Sequence, residues 1–368
     1  MSSRQAAPGR RAGALMELTR ARVLEFVREP EAVFWVFVFP VLMAVALGIA
    51  FRSQNGGRTP VALLDAGAPG ARAELEAKLR ASPLLEVKVL DDEAASLALR
   101  KTRVEVVVAL DDVATGTTSA AGEPPALTYR YDGARAEGRA ARLLVDDVVQ
   151  RAWGRADTLA SRDENTPRRG ARYIDFLIPG LIGLNLMGSG LWGIGFSVVI
   201  ARTNKLLKRL AATPMRRGDY LLSIALSRLA FLGLEVLAIA GAGRLLFGVE
   251  VAGSIVALGL VSLLGALSFG GIGLLVAARP RTMEAVSGWM NLVQLPMWLL
   301  SGTFFSYERF PEFALPFIRA LPLTALNDAL RGIMNDGLGL GALWAPVLIL
   351  LAWGVVGFGV AVRIFRWQ

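Results

Sequence analysis

Six long apolar runs set what this chain can become: Val33–Phe51, Ile174–Ile200, Tyr220–Phe247, Ser254–Ala278, Ala285–Phe305 and Leu343–Val362. At about 1.5 Å of rise per residue, a helix made from any of them crosses a hydrocarbon core about 30 Å thick. Hydrophobic residues make up 54% of the chain and charged ones only 19%, gathered in blocks rather than spread evenly. Ordinary water-soluble domains are less apolar than this. The pattern predicts a polytopic α-helical membrane protein with six transmembrane helices. A cleaved leader is the rival reading of the first run, since Gly48-Ile49-Ala50 has the small residues of a cleavage site. Leader cores are shorter, roughly 7–15 residues, and the polar lead-in here is long, so an uncleaved span is expected.

Residues 52–172 change character and read as an inserted α/β domain. Pro60–Asp65, Leu84–Leu90, Val104–Leu110 and Leu127–Tyr131 have strand patterning. Ala71–Ala81 and Asp92–Lys101 read as helices between them, Thr115–Pro125 is turn-rich, and Ala134–Ala160 reads as one long helix leading back to the membrane. The chain thus divides into a polar N-terminus (1–32), a first span (33–51), the inserted domain (52–172) and a five-span region (173–368).

Six spans put both termini on one side, and the short loops decide which. Arg202, Lys205, Lys208, Arg209, Arg216, Arg217, Arg279, Arg281, Arg363 and Arg366 fall on the terminal side, whereas Gly248–Gly253 opposite carries only Glu250. The positive-inside rule makes the termini cytoplasmic and the 52–172 domain extracytoplasmic, since long domains cross largely regardless of charge. A net charge of +9 would suggest nucleic acid in a soluble protein. Here it reflects basic loops beside anionic headgroups, and no nucleic-acid partner is expected.

Two zero counts remove most catalytic chemistry. Without histidine or cysteine there is no imidazole base, thiol nucleophile, disulfide or thiolate metal site. None of the five lysines (Lys78, Lys88, Lys101, Lys205, Lys208) follows a glycine, so the phosphate-binding GxxxxGK[ST] loop is missing. Neither a catalytic residue nor a metal or cofactor is expected in this chain, and energy for work must come from a partner or an ion gradient.

Three segments stand out. Leu15–Glu29 forms an amphipathic pattern with Leu15, Met16, Val23, Phe26 and Val27 on one arc, and reads either as a helix in the cytoplasmic interface or as a plain basic lead-in. Ala201–Asp219 places Leu206, Leu207 and Leu210 on one helical face with Lys205, Lys208 and Arg209 opposite, and Pro214 ends it. It reads either as a docking helix or as a plain basic loop. The stretch from Gly302 to Gly337 is broken by Pro311, Pro316 and Pro322 and is too interrupted to span in one pass. It reads as short helices dipping from the outer face or as a hairpin on the outer leaflet. Within the spans, Arg228 and Glu235 are charges that usually face a bundle interior, partner or cavity; they read as a substrate or gating position or, the preferred reading, as a structural ion pair with another helix or with Arg228 reaching to the cytoplasmic interface. Asn185, Asn291 and Gln294 either line a passage or hydrogen-bond between helices, and Gly180, Gly183, Gly188, Gly190, Gly193 and Gly195 suit a subunit interface.

The loop KRLAATPMRRGDYLLS, the stretch LPMWLLSGTFFSYERFPEFALPFIRALPLTALNDALRGI and the one-span, large-domain, five-span layout together resemble the type-two ABC exporter permeases. The likeness covers essentially the whole chain. It implies an interfacial helix at the N-terminus, a coupling helix at 202–213 (Arg202, Lys205, Leu206, Leu207, Lys208, Arg209, Leu210, Thr213, with Pro214 after it) and a re-entrant segment at 306–337. Phe304, Phe305, Pro311, Pro316, Pro322 and Arg331 carry the match in that outer stretch. The resemblance also implies a second permease copy or close relative, two ATPase subunits that hold ATP and Mg, and the plasma (bacterial inner) membrane. One departure is that family members often read Arg-Glu-x-Gly-Thr where Arg202 is followed here by Thr203-Asn204-Lys205. Two other function classes fit the residues alone: an ion-coupled secondary transporter using Arg228 and Glu235, and a membrane receptor or scaffold acting through 52–172.

Overall fold

A computed structural model of the chain describes residues 16–17, 19–20, 23–24, 26–51, 58–66, 69–110, 127–156, 170, 172–204, 217–280 and 282–364; of 217–225 and 228–230 it describes the backbone alone. The chain forms two compact units, Ser53–Thr166 and the remainder.

The smaller unit is a four-stranded sheet of order β2-β1-β3-β4, from β1 (Thr59–Leu64), β2 (Leu85–Leu90), β3 (Val106–Leu110) and β4 (Leu127–Tyr131). β1 pairs parallel with β2 and β3, and β4 closes the edge antiparallel to β3. Alternate side chains of a strand face opposite ways, so each central strand feeds two cores. Val61, Leu63, Val106 and Val108 pack on one face with Leu75 and Leu79 of α2 (Pro69–Ala81) and Val145 and Val149 of α4 (Ala136–Ala152). Ala62, Leu64, Val107 and Ala109 pack on the other with Ala95 and Ala98 of α3 (Asp92–Arg100). The Asp91 carboxylate caps α3 by accepting from the Ala94 N–H at 2.6 Å.

Two expectations for this unit are corrected. The helix expected over Ala134–Ala160 ends at Ala152, because the chain turns at Trp153 into Gly154, whose φ of 93° belongs to the left-handed region that stops helices. Val104 lies ahead of β3 rather than in it, yet is buried against the α3 face.

Four described helices are long and apolar enough to cross a membrane: α1 (Pro30–Ala50), α5 (Tyr173–Thr203), α7 (Ile255–Ala277) and the last described helix, Leu340–Ile364, whose α-helical part is α11 (Trp344–Ile364). Two more long helices lie in the same unit, α6 (Arg217–Phe247) and α8 (Met283–Leu300). The short α9 (Leu315–Arg319) and α10 (Pro322–Met334) fill the stretch between α8 and α11. α1 opens into a π-turn over Phe34–Val38, just ahead of Pro40, which has no N–H to continue the α-helical ladder. α5 is the centre of the unit, with Leu177, Ile178, Leu181, Leu186, Met187 and Leu191 in the main core.

Of the six glycines expected to suit a subunit interface, Gly180, Gly183, Gly190 and Gly195 serve packing within the chain, whereas a Cβ on Gly188 would meet nothing within 4 Å. A Cβ on Gly190 would meet the Phe269 Cβ at 2.7 Å, one on Gly180 the Thr303 carbonyl at 2.6 Å, and one on Gly183 or Gly195 would run into Asn327 or Met290. Small residues here let α5, α7 and α10 approach closely within one chain. The apolar run Ala285–Phe305 is also shorter as a helix than expected: α8 stops at Leu300, and Gly302, at φ 68°, turns the chain away before Phe304 and Phe305.

Candidate functional site

A groove of about 630 Å³ lies between α1, α5, α6 and α8. Its walls are mostly apolar and aromatic. Ring centroids of Trp35 and Phe39, on the same helix, lie 4.9 Å apart, Trp192 meets Phe196 edge-to-face at 4.9 Å, and Phe26 lies tilted against Phe231 at 4.4 Å. The groove is the size of those that hold drug-sized molecules.

Its polar groups sit at a few heights. Gln294 of α8 accepts the indole N–H of Trp192, joining the α5 and α8 walls. Ser189 donates to the Glu235 carboxylate of α6 at 3.0 Å; Glu235 is 2% exposed behind the α5 wall. Ser197 donates to the Gly193 carbonyl at 2.6 Å. Asn185 lines the groove, with its Nδ2 enclosed and unpartnered among the described residues. Glu29 and Asn204 also lie on the lining.

Of the three amides read as passage candidates, Asn185 and Gln294 are therefore together and Asn291 is apart. Asn291 is exposed on the outer face of α8 beside Leu292 and Leu295. Positions three apart on a helix differ by about 60° around the axis, enough to take a side chain out of a groove. Arg228 lies on α6, but its side chain is outside the described residues.

At the other end, α10 is held down through main-chain carbonyls. Arg331 donates from Nε to the Phe176 carbonyl at 3.3 Å and from Nη2 to the Gly302 carbonyl, and its guanidinium lies 3.6 Å over the Phe176 ring. Asn327, fully buried, donates to the Ser301 carbonyl at 3.0 Å and to the Thr303 hydroxyl at 3.2 Å. Arg172 joins the start of α5 to the end of α6 by donating to Asp175 at 2.7 Å and to the Phe247 carbonyl at 3.0 Å. Asn335 donates to the Asp175 carbonyl at 3.1 Å, closing the cluster. Pro316 stands in the first turn of α9 and Pro322 opens α10, positions where a missing N–H leaves no bond unmade. Pro311 is exposed and its carbonyl accepts from Ala314 N–H at 2.9 Å, Phe304 accepts at its carbonyl from the Tyr173 hydroxyl at 3.1 Å, and Phe305 lies 6.0 Å from Phe310.

Arg202 has a use that sequence reasoning missed. Its guanidinium donates to the Ala277, Ala278 and Pro280 carbonyls at 3.2, 3.2 and 2.7 Å. These are the bare carbonyls at the C-terminus of α7, where a cation also meets the negative end of the helix dipole. The signal in the sequence was a helix ending Ala-Ala-Arg-Pro, with no glycine to close it. Lys205, Leu206, Leu207, Lys208, Arg209, Leu210, Thr213 and Pro214 lie outside the described residues, as does Leu15. Near the N-terminus, residues 26–28 are helical, and Phe26 packs on Phe231 and Phe37 while Met16 and Val27 are exposed and Val23 half-buried.

Residues 31–363 match the family described as ABC-2 family transporter protein. With nearly the whole chain matched, the chain belongs to this family, the type-two ABC permeases. It is 28% identical over 188 residues to ABC transporter G family member 20 of Dictyostelium discoideum, covering 50% of this chain and 25% of that protein. It is also 28% identical over 148 residues to the inner membrane transport permease YhhJ of Escherichia coli, covering 39% of this chain and 40% of that one. The match thus spans less than half the length of either relative.

Proposed function

We propose that this chain is the membrane subunit of an ATP-driven exporter. Two copies, or one copy with a close relative, would work with two separate ATPase subunits to move a substrate out of the cytoplasm or inner leaflet. The observation that carries this reading is the aromatic groove that brings Asn185 and Gln294 together between α5 and α8, in a chain of the ABC-2 family. In this reading the six long helices are six spans, both termini are cytoplasmic in the plasma membrane, and 52–172 lies outside. The apolar face of α8, with Trp289, Leu292, Leu295 and Leu299 exposed, supports a second copy beside it. The 202–213 segment is the proposed coupling helix, its leucines seated in an apolar cleft of the ATPase.

Buried Glu235 favours a second reading, an ion-coupled carrier. Flux measurements in reconstituted vesicles separate the two. Movement that needs ATP and the ATPase supports the first, and movement driven by a proton or sodium gradient without ATP supports the second.

The coupling helix is tested by Leu206→Ala combined with Leu210→Ala. Truncating buried apolar anchors at a hot spot costs about 2 kcal/mol or more each, so ATPase association should weaken by well over tenfold with membrane insertion intact. Normal export with the ATPase still bound would remove the docking role.

A further inference from the structure

The groove has an electrical character beyond its size. Three of its wall protons are committed inside the protein, while the Asn185 amide N–H group has no partner among the described residues. The Ser189 hydroxyl is spent on Glu235, the Ser197 hydroxyl on the Gly193 carbonyl, and the Trp192 indole on Gln294. What the hydroxyls leave for an occupant is oxygen lone pairs. The rest of the wall is largely aromatic, contributed by Trp35, Phe39, Trp192, Phe196, Phe231 and Trp298. Aromatic faces are negative and attract cations, most strongly where water is excluded. Glu29 supplies a carboxylate to the lining, and among the described lining residues there is no lysine or arginine. An anionic headgroup, a phosphate or an acidic glycan would find neutral amide donors but no cationic side chain among the described lining residues. A delocalised organic cation carrying aromatic or apolar bulk finds rings, lone pairs and a carboxylate.

We propose that the groove binds amphipathic aromatic cations and discriminates against anions of the same shape. This rests on the permease reading, since it names the substrate class for the same groove. A volume of about 630 Å³ suits one such molecule rather than a polymer chain threaded whole.

Tetraphenylphosphonium and tetraphenylborate test this directly, because they are nearly isosteric and opposite in charge. Their binding to the full chain in lipid nanodiscs is measured by equilibrium dialysis without nucleotide or ATPase, with protein-free nanodiscs subtracted. The phosphonium should bind at least tenfold more tightly than the borate. Glu29→Gln should narrow that ratio several-fold. Trp35→Leu and Phe196→Leu should each weaken phosphonium binding about fivefold or more, with the melting temperature of each variant measured alongside. A variant that fails to fold is replaced by Trp298→Leu, which alters the same wall from α8. Equal or tighter binding of the borate overturns the proposal, as does phosphonium binding unchanged in Glu29→Gln and in the ring variants alike. Saturable phosphonium binding with no ATP-driven movement contradicts the permease reading and leaves the ligand class standing. ATP-driven export of an anion with no phosphonium binding does the reverse.

Discussion

Arg331 carries its charge among main-chain carbonyls rather than against a close carboxylate, since Asp328 is 4.0 Å away while the Phe176 and Gly302 carbonyls accept directly. Only a planar guanidinium can serve two carbonyls and lie on a ring at once. Arg331→Leu should therefore leave buried acceptors bare and lower stability by about 3 kcal/mol. Arg331→Lys should recover part of this, read as the melting temperature of the purified protein, and a lysine variant as stable as the native chain would contradict the assignment. In the smaller unit, burial and then the Asp146 carboxylate, which accepts from the hydroxyl at 3.2 Å, push the Tyr129 phenol up to about 12. The unfolded phenol ionises first, near pH 10, so stability is whole below about pH 10 and falls as the pH climbs toward the folded value. A phenolate absorbance titration of the native chain minus Tyr129→Phe should show one tyrosine ionising late, and a difference centred near pH 10 would refute it. At this scale the sequence was only half legible. Asn185 and Gln294 stood out as amides in apolar runs, and they do line one groove. Asn291 looked equivalent and faces outward, because one hundred degrees per residue separates neighbours that composition treats alike. Arg202 stood out as a loop charge, whereas its contacts are three carbonyls of a helix about 75 residues away.

Helices were easier to read than their ends. The long apolar runs and the short apolar strands β1 and β3 follow directly from run length and burial, but stops depend on single residues. Gly302 and Gly154 each turn the chain through a positive φ where hydropathy alone runs on. Contacts between elements were less legible still, because a glycine in a membrane helix looks the same whether it faces lipid, a partner or a neighbour. Gly273 and Gly259 on α7 separate these cases. A Cβ at Gly273 would lie 2.8 and 2.9 Å from the Leu191 and Gly190 carbonyls, whereas one at Gly259 meets nothing within 4 Å. Gly273→Ala should force α5 and α7 apart and lower the melting temperature. Gly259→Ala should be neutral or raise it, since alanine is favoured over glycine in a helix by about 1 kcal/mol. Equal effects of the two would mean that the α5–α7 contact is looser than described.

The whole molecule combines a packed helical unit with a separate α/β unit, and its proposed topology rests on the charge bias of the short loops. The absence of native cysteine makes that topology simple to test. A single cysteine at Ser119 should react with an impermeant maleimide in intact cells and one at Thr203 should not; the opposite pattern would invert the orientation. Membership of the ABC-2 family agrees with a chain that holds no phosphate-binding loop of its own. In the proposed mechanism, energy reaches the groove from another protein. This is tested most directly by purifying the tagged chain from its native membrane and measuring ATP hydrolysis and native mass together. The expected result is a complex of two membrane chains and two ATPase subunits that hydrolyses ATP, with both the ATPase and the activity lost when Leu206 and Leu210 are alanine. A chain that purifies without an ATPase, and still moves substrate when only an ion gradient is supplied, would contradict it.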